Sequence, residues 1–188
     1  AAKHETDAVA RDAAELLPFE AGFAAFAARY VAWLHERAAQ GWCYAQGEAA
    51  RERTLPDLVP PVQLVGRIDR IDATPDGGHQ LIDYKTGNVK DLQQRVREPL
   101  EDTQLAVYAA LADARDLQAC YLALDDRSPP KDVVHPDVTR SAQTLLRELP
   151  RELQALREGA AMPALGEGRV CETCEARGLC RRDDWKPL

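Results

Sequence analysis

The stretch Val65–Gly87, VGRIDRIDATPDGGHQLIDYKTG, limits what this chain can fold into more than any other. Val62–Thr74 is rich in Val and Ile with alternating charge, the pattern of an extended strand. Gln80–Thr86 is a second short extended run. Between them, Pro75-Asp76-Gly77-Gly78 signals a tight turn, because glycine accepts the positive φ that hairpin turns need. Folding the chain about Asp76 sets Asp69 opposite Asp83, each seven residues from the pivot. Opposed residues of an antiparallel pair hold their Cβ atoms roughly 4.5–5.5 Å apart. Two carboxylates that close repel unless a proton or a cation lies between them. Lys85, two residues past Asp83, shares its face of the strand.

Asp, Asp and Lys on one face suit a divalent-metal site. Mg²⁺ and Mn²⁺ take oxygen ligands, usually one or two carboxylates with water and a substrate phosphate completing the shell. An ammonium beside them can orient the attacking water or offset charge growing on a phosphate. On spacing alone the alternative stays open: an exposed hairpin laced by cross-strand ion pairs that also draw in Arg67, Arg70 and Asp72.

The run GRIDRID, then IDYKTG, then the helical pair in Gln104-Leu-Ala-Val-Tyr108 resembles the RecB/AddB branch of the PD-(D/E)XK nuclease superfamily, from Glu48 to Arg182. The resemblance implies an α/β fold with a restriction-endonuclease-like core, a small central mixed sheet flanked by helices. It implies metal-dependent hydrolysis of DNA, of the exonuclease kind, in a repair and recombination protein that works with helicase-like domains. Residue by residue, it assigns the metal to Asp69, Asp83 and the Tyr84 backbone carbonyl, with Mg²⁺ or Mn²⁺ as cofactor. It makes Lys85 the group that positions the water, and Gln104 and Tyr108 the residues that shape the site or touch DNA. Glu48 falls where the family carries an acidic residue on its first strand; Glu52 competes with it, and a plain surface glutamate is the alternative. The family also has a helix-borne His near its metal. His35 lies only 34 residues ahead of Asp69, with Val31 and Trp33 upstream, and reads as a solvated helix histidine. The rival from another class is a catalytically inactive DNA-binding or scaffolding domain of the same fold. The intact Asp69, Asp83 and Lys85 argue against it.

The tail changes character. CETCEARGLCRRDDW carries Cys171, Cys174 and Cys180, and a Cys-x2-Cys turn can bring two sulfurs to one ion or cluster. The Cys-x2-Cys-x5-Cys pattern resembles part of the iron–sulfur staple of AddB-type nuclease domains. There a fourth Cys comes from well upstream, so the resemblance implies a 4Fe-4S cluster in a longer parent and an incomplete one here. Zinc with a borrowed fourth ligand is the second reading. The expected division is a core over residues 1–160, with N-terminal helices, and a cysteine-containing tail over residues 161–188.

Five cysteines, an odd count with three at one end, do not form a disulfide framework, and a reducing, cytoplasmic setting fits them. No apolar run approaches the ~20 residues of a membrane span. Beginning at Ala1 rather than Met, the chain reads as a piece of something longer. Its net charge of −7 argues against a grip on nucleic acid by bulk electrostatics, leaving most DNA affinity to other parts of a larger protein.

Elsewhere the periodicity predicts a short helix over His4–Leu17 ended by Pro18, then an amphipathic helix over Phe19–Ala39 carrying Phe19, Phe23, Phe26, Tyr30, Trp33 and Leu34 on one face. Gly41–Leu55 is expected to be a strand, with a loop at Pro56, Pro60 and Pro61. Asn88–Arg97 is polar and expected to be a loop, whose Lys90, Arg95 and Arg97 are within reach of a phosphate backbone. Glu101–Ala114 is expected to be helical with Asp102 or Thr103 as N-cap, Gln118–Leu124 a buried strand with Cys120 in the core, and Val133–Val134 a last strand. Thr139–Glu158 is a long helix with Leu145, Leu146, Leu149, Leu153 and Leu156 on one side, to be kinked or split at Pro150.

Overall fold

The computed structural model of the chain describes residues 13–97, 102–112, 114, 116–124, 128–161, 171 and 174–180. Helix α1 (Ala13–Ala39) is followed by the strands β1 (Cys43–Leu55), β2 (Val62–Ala73) and β3 (His79–Thr86). Two short helices, α2 (Val89–Arg97) and α3 (Gln104–Ala112), lead to β4 (Leu117–Leu124) and β5 (Lys131–Val134), then α4 (Val138–Arg157) and α5 (Arg177–Cys180). The five strands lie in chain order in one sheet. β3 and β4 run parallel; the other neighbours are antiparallel. This is the α/β fold with a small mixed sheet flanked by helices that the motifs imply. A parallel pair needs a crossover rather than a hairpin, and here the crossover carries α2 and α3. By contacts the chain divides into two compact units, Ala1–Arg147 and Glu148–Leu188.

Each face of the sheet has its own core. On one, Ile68, Ile71, Leu81, Ala119, Tyr121 and Val133 meet Leu92 and Val96 of α2, Leu105 and Tyr108 of α3, and Val138 and Ala142 of α4. On the other, Ile82, Cys120 and Leu122 meet Trp33, with Tyr30 and Leu34 of α1 packed around it. Cys120 is fully buried, and burial pushes its thiol well above the ordinary range, so it is an inert core residue. α3 is buried nearly all round, as its Ala- and Leu-rich sequence requires. Gly66 of β2 leaves the space for it: a Cβ there would stand 2.8 Å from Leu111 Cδ1.

The hairpin turn behaves as its glycines require. Gly77 sits at φ 91°, where an L side chain is strained. Thr74 N donates to Gly78 O at 2.9 Å, Gly77 N to Thr74 O at 3.0 Å, and the Thr74 hydroxyl to the Asp76 carboxylate.

Three expectations are corrected. α1 runs through Pro18 instead of ending there. A proline removes one backbone hydrogen bond, and a 27-residue helix anchored by Phe23–Leu34 tolerates the loss. The N-terminal part of the expected first helix, residues 4–12, lies outside the described residues. Asn88–Arg97 is no loop: Val89–Arg97 is helical, with Leu92 and Val96, one i, i+4 pair, buried on the sheet. Nor does Pro150 split α4, which continues to Arg157 with its five leucines half-buried. Strand expectations agree with β1, β4 and β5 to within two residues.

Candidate active site

The β2–β3 ladder runs from Ala73↔His79 to Arg70↔Ile82, and one further step on that register sets Asp69 opposite Asp83. The strands part there, and the Asp69 side chain fills the gap: its Oδ2 accepts from Tyr84 N at 3.1 Å. Asp69 is thus tied to β3 by its own carboxylate. Asp83 is 1% exposed. Helix α3 then lays Gln104 and Tyr108, four residues apart on one face, over both.

The Tyr108 hydroxyl lies 3.3 Å from Asp69 Oδ1 and 3.1 Å from Asp83 Oδ1. The Gln104 amide donates to Asp83 Oδ1, while its Oε1 accepts from Lys85 Nζ at 2.8 Å. Lys85 Nζ is also 2.7 Å from Asp83 Oδ2 and 5.5 Å from the centre of the Tyr121 ring. Asp102 holds the start of α3, its Oδ1 accepting from Gln104 N at 3.2 Å and from the Tyr121 hydroxyl at 2.7 Å. The helix that carries two of the site residues is therefore capped by a residue fixed to β4.

Two carboxylates, one ammonium and one phenol leave this site net negative and largely shielded from water. Burial raises Asp83 above the usual carboxylate range; the Lys85 ammonium pulls it down, and the Asp69 charge adds to the rise. Burial likewise raises Tyr108, so its phenol keeps its proton. That single proton can serve only one carboxylate at a time. Asp83 Oδ2, although beside Lys85, receives no well-aligned hydrogen bond. A hard cation suits this oxygen-rich donor set, because it would relieve both the Asp69–Asp83 repulsion and the under-satisfied oxygen.

The opposite face of the same strands holds an ion-pair network that sequence reasoning missed. Arg37 of α1 donates to Asp72 Oδ2 and Gln80 Oε1, both at 2.7 Å, and to Asp132 Oδ2 at 3.1 Å. Arg70 donates to Asp72 Oδ1 at 2.6 Å and to the Tyr30 hydroxyl at 3.0 Å. Tyr30 meets the Tyr84 hydroxyl at 2.9 Å, and Trp33 Nε1 donates to Asp132 Oδ1 at 3.0 Å. Arg37, Arg70, Asp72 and Gln80 are all buried. Arg70 and Asp72 are ion-paired within β2 and buried under α1, where the alternative reading had them in exposed cross-strand pairs. Through Tyr84 it braces, from behind, the strand segment that carries Asp83 and Lys85.

The other sequence candidates stand apart. Glu48 is opposite Asp69 on the β1–β2 register set by Gly47↔Arg70 and Ala49↔Ile68, in the left-handed region at φ 49°. Its exposed carboxylate lies 3.7 Å from Arg67 Nη1. Glu52 pairs with Val65 further along β1, and His35 is exposed on α1. Cys171 and Cys180 are half-buried and Cys174 is exposed; none of the five cysteines is in a disulfide. Among the described residues no group of three or more His, Cys, Asp or Glu is gathered as a metal site, and no helix is long and apolar enough to cross a membrane.

None of the curated proteins matches the chain. The family model of the PD-(D/E)XK nuclease superfamily matches it over residues 2–181. Nearly the whole chain is covered, both carboxylates and the lysine included, and the chain belongs to the PD-(D/E)XK nuclease superfamily.

Proposed function

We propose that this chain is the nuclease domain of a RecB/AddB-like DNA repair and recombination protein, an exonuclease that hydrolyses DNA phosphodiesters with Mg²⁺ or Mn²⁺. The observation that carries the proposal is the convergence of Asp69, Asp83 and Lys85 under the Gln104–Tyr108 face of α3. Asp69, Asp83 and the Tyr84 carbonyl would hold the metal. Glu48 is the candidate for a further carboxylate, since leaving an exposed partner such as Arg67 costs little. A bound divalent metal would supply Lewis acidity for the scissile phosphate and for the attacking water. Lys85 orients that water and offsets charge developing on the phosphate. Gln104 holds the Lys85 ammonium and the Asp83 carboxylate in one arrangement through its two amide ends. Tyr108 keeps its proton and steadies whichever carboxylate accepts it.

Digestion of single- and double-stranded DNA labelled at either end, with and without Mg²⁺ or Mn²⁺, is the direct test. Products of one nucleotide released from one end support an exonuclease; no metal-dependent cutting leaves the scaffolding reading in its place. Lys85→Ala is expected to lower kcat by about 10²–10³ with the Mg²⁺ requirement unchanged. A variant restored merely by more Mg²⁺ would show that the lysine supports the fold of the site instead.

Cys171, Cys174 and Cys180 would be three of the four ligands of a 4Fe-4S cluster completed by a longer parent, in a reducing compartment. Iron and visible absorption of anaerobically purified protein check this. Four irons per chain in these 188 residues would require Cys43 or Cys120 as the fourth ligand, against the expectation of an incomplete set.

A further inference from the structure

At the C-terminal ends of β3 and β4 an open groove of about 880 Å³ is lined by Thr86, Gly87, Lys90, Gln93, Leu124 and Lys131, among others. We infer that this groove holds the backbone of a single DNA strand next to the scissile phosphate, with Lys90 and Lys131 against its phosphates. The inference rests on the nuclease reading and extends it to the path of the substrate.

Position is the first support. The groove opens at Thr86, the residue after Lys85. A strand rises about 3.3 Å per residue, so Gly87 is only roughly 7 Å along the chain from Lys85. A strand cut beside Lys85 therefore has its next nucleotides within reach of the groove. Charge is the second. The chain carries −7 overall, yet two exposed ammonium groups line this one concavity. Neither Lys90 nor Lys131 has a carboxylate partner among the described residues. The Lys90 amide is already used, donating to Asn88 Oδ1 at 2.8 Å, so the attraction rests on the ammonium groups.

Size selects the occupant. The volume falls within the 300–1,000 Å³ range typical of small-ligand clefts, enough for a nucleotide or two and far too little for a duplex. Among the described residues the lining has no aromatic ring on which a base could stack. It is a backbone grip without sequence preference, of the kind that positions a strand rather than reads it.

The test uses fluorescein-labelled oligo(dT) of about ten nucleotides, a common single-strand site size, without divalent metal so that nothing is cut. Each phosphate contact contributes about 0.7 to the slope of log affinity against log salt on single strands. K90Q/K131Q should bind several-fold more weakly and lose about 1.4 from that slope, at an unchanged melting temperature. R51Q/R140Q removes the same charge elsewhere and should keep the parent slope. A K90Q/K131Q slope equal to the parent's overturns the groove, whether or not the protein cuts DNA. Lysine-dependent binding with no cutting in Mg²⁺ or Mn²⁺ overturns the nuclease reading and leaves the groove standing. A duplex of the same length that depends equally on the two lysines overturns the single-strand assignment.

Discussion

Asp83→Asn and Asp69→Asn are each expected to bring metal-dependent DNA cleavage down to background while the fold survives. Each removes one of the two carboxylates that flank the Tyr108 hydroxyl, and a divalent cation held by one carboxylate in place of two loses its site. Asp83→Asn should also melt at a higher temperature than the metal-free parent. In the parent, burial disfavours the charged form of Asp83 despite Lys85, and an amide carries no such penalty. The pH dependence has a definite sign. An unfolded aspartate titrates near pH 3.9, and folded Asp83 holds its proton to a higher pH. Between the two values the native state binds more protons, so the contribution of Asp83 to stability falls as pH rises through that window. Above the folded-state pKa the full cost remains. Melting temperatures of parent and Asp83→Asn across a pH series, without metal, should coincide at the acid end and separate above about pH 4. Added Mn²⁺ should narrow the separation for the parent and leave the variant unmoved. Parallel curves at every pH would rule out a strained carboxylate at this position.

Asp72→Ala is expected to be among the most damaging single changes on the other face, costing on the order of 3–5 kcal/mol. Asp72 is fully buried and accepts from both Arg37 and Arg70. Without it two guanidinium groups remain in a dry environment, with the Gln80, Asp132 and Tyr30 side chains left to accept from them. Breaking a buried pair from one side leaves the surviving charge uncompensated, which costs far more than the pair contributed. The melting temperature should fall by roughly 10 °C. Arg37→Met, which leaves Arg70 to neutralise Asp72, should cost clearly less. Equal losses in the two variants would mean that packing around Trp33, rather than charge, sets the stability of this face.

What could be read in the sequence was what its own neighbourhood determines. Gly77 and Gly78 specified the turn, and equal spacing from it brought Asp69 and Asp83 together. The i, i+4 pair of Gln104 and Tyr108 was placed over the hairpin by the family resemblance and not by the local pattern, which alone reads as a buried Tyr and a capping-turn Gln. Helix α2 escaped notice because it has only Val89, Leu92 and Val96 to pack on the core, and its other residues look like those of a loop. The network on the second face was invisible because its partners are far apart in the chain. Arg37 and Asp72 are 35 residues apart, and Trp33 and Asp132 are 99 apart. An arginine within a helix reads as solvated until the sheet beneath it is known. The two prolines misled because the rule that a proline ends a helix is local, whereas α1 and α4 each continue through theirs as one helix.

The turn at Thr74–Gly78 acts as a ruler for the chemistry. It counts the residues on both arms of the hairpin, and side chains on a strand alternate between faces with a period of two. Exchanging residues at its tip leaves the count intact. Losing or gaining one residue between the turn and either carboxylate does not: the slipped arm turns over, and the acid on it moves to the side occupied by Tyr30 and Arg37. Variation in length is therefore far more dangerous to this site than variation in composition: apart from Gly77, whose φ of 91° calls for glycine, and Gly78, where a Cβ would crowd the Thr74 hydroxyl, the turn can change identity only while its number of residues stays the same.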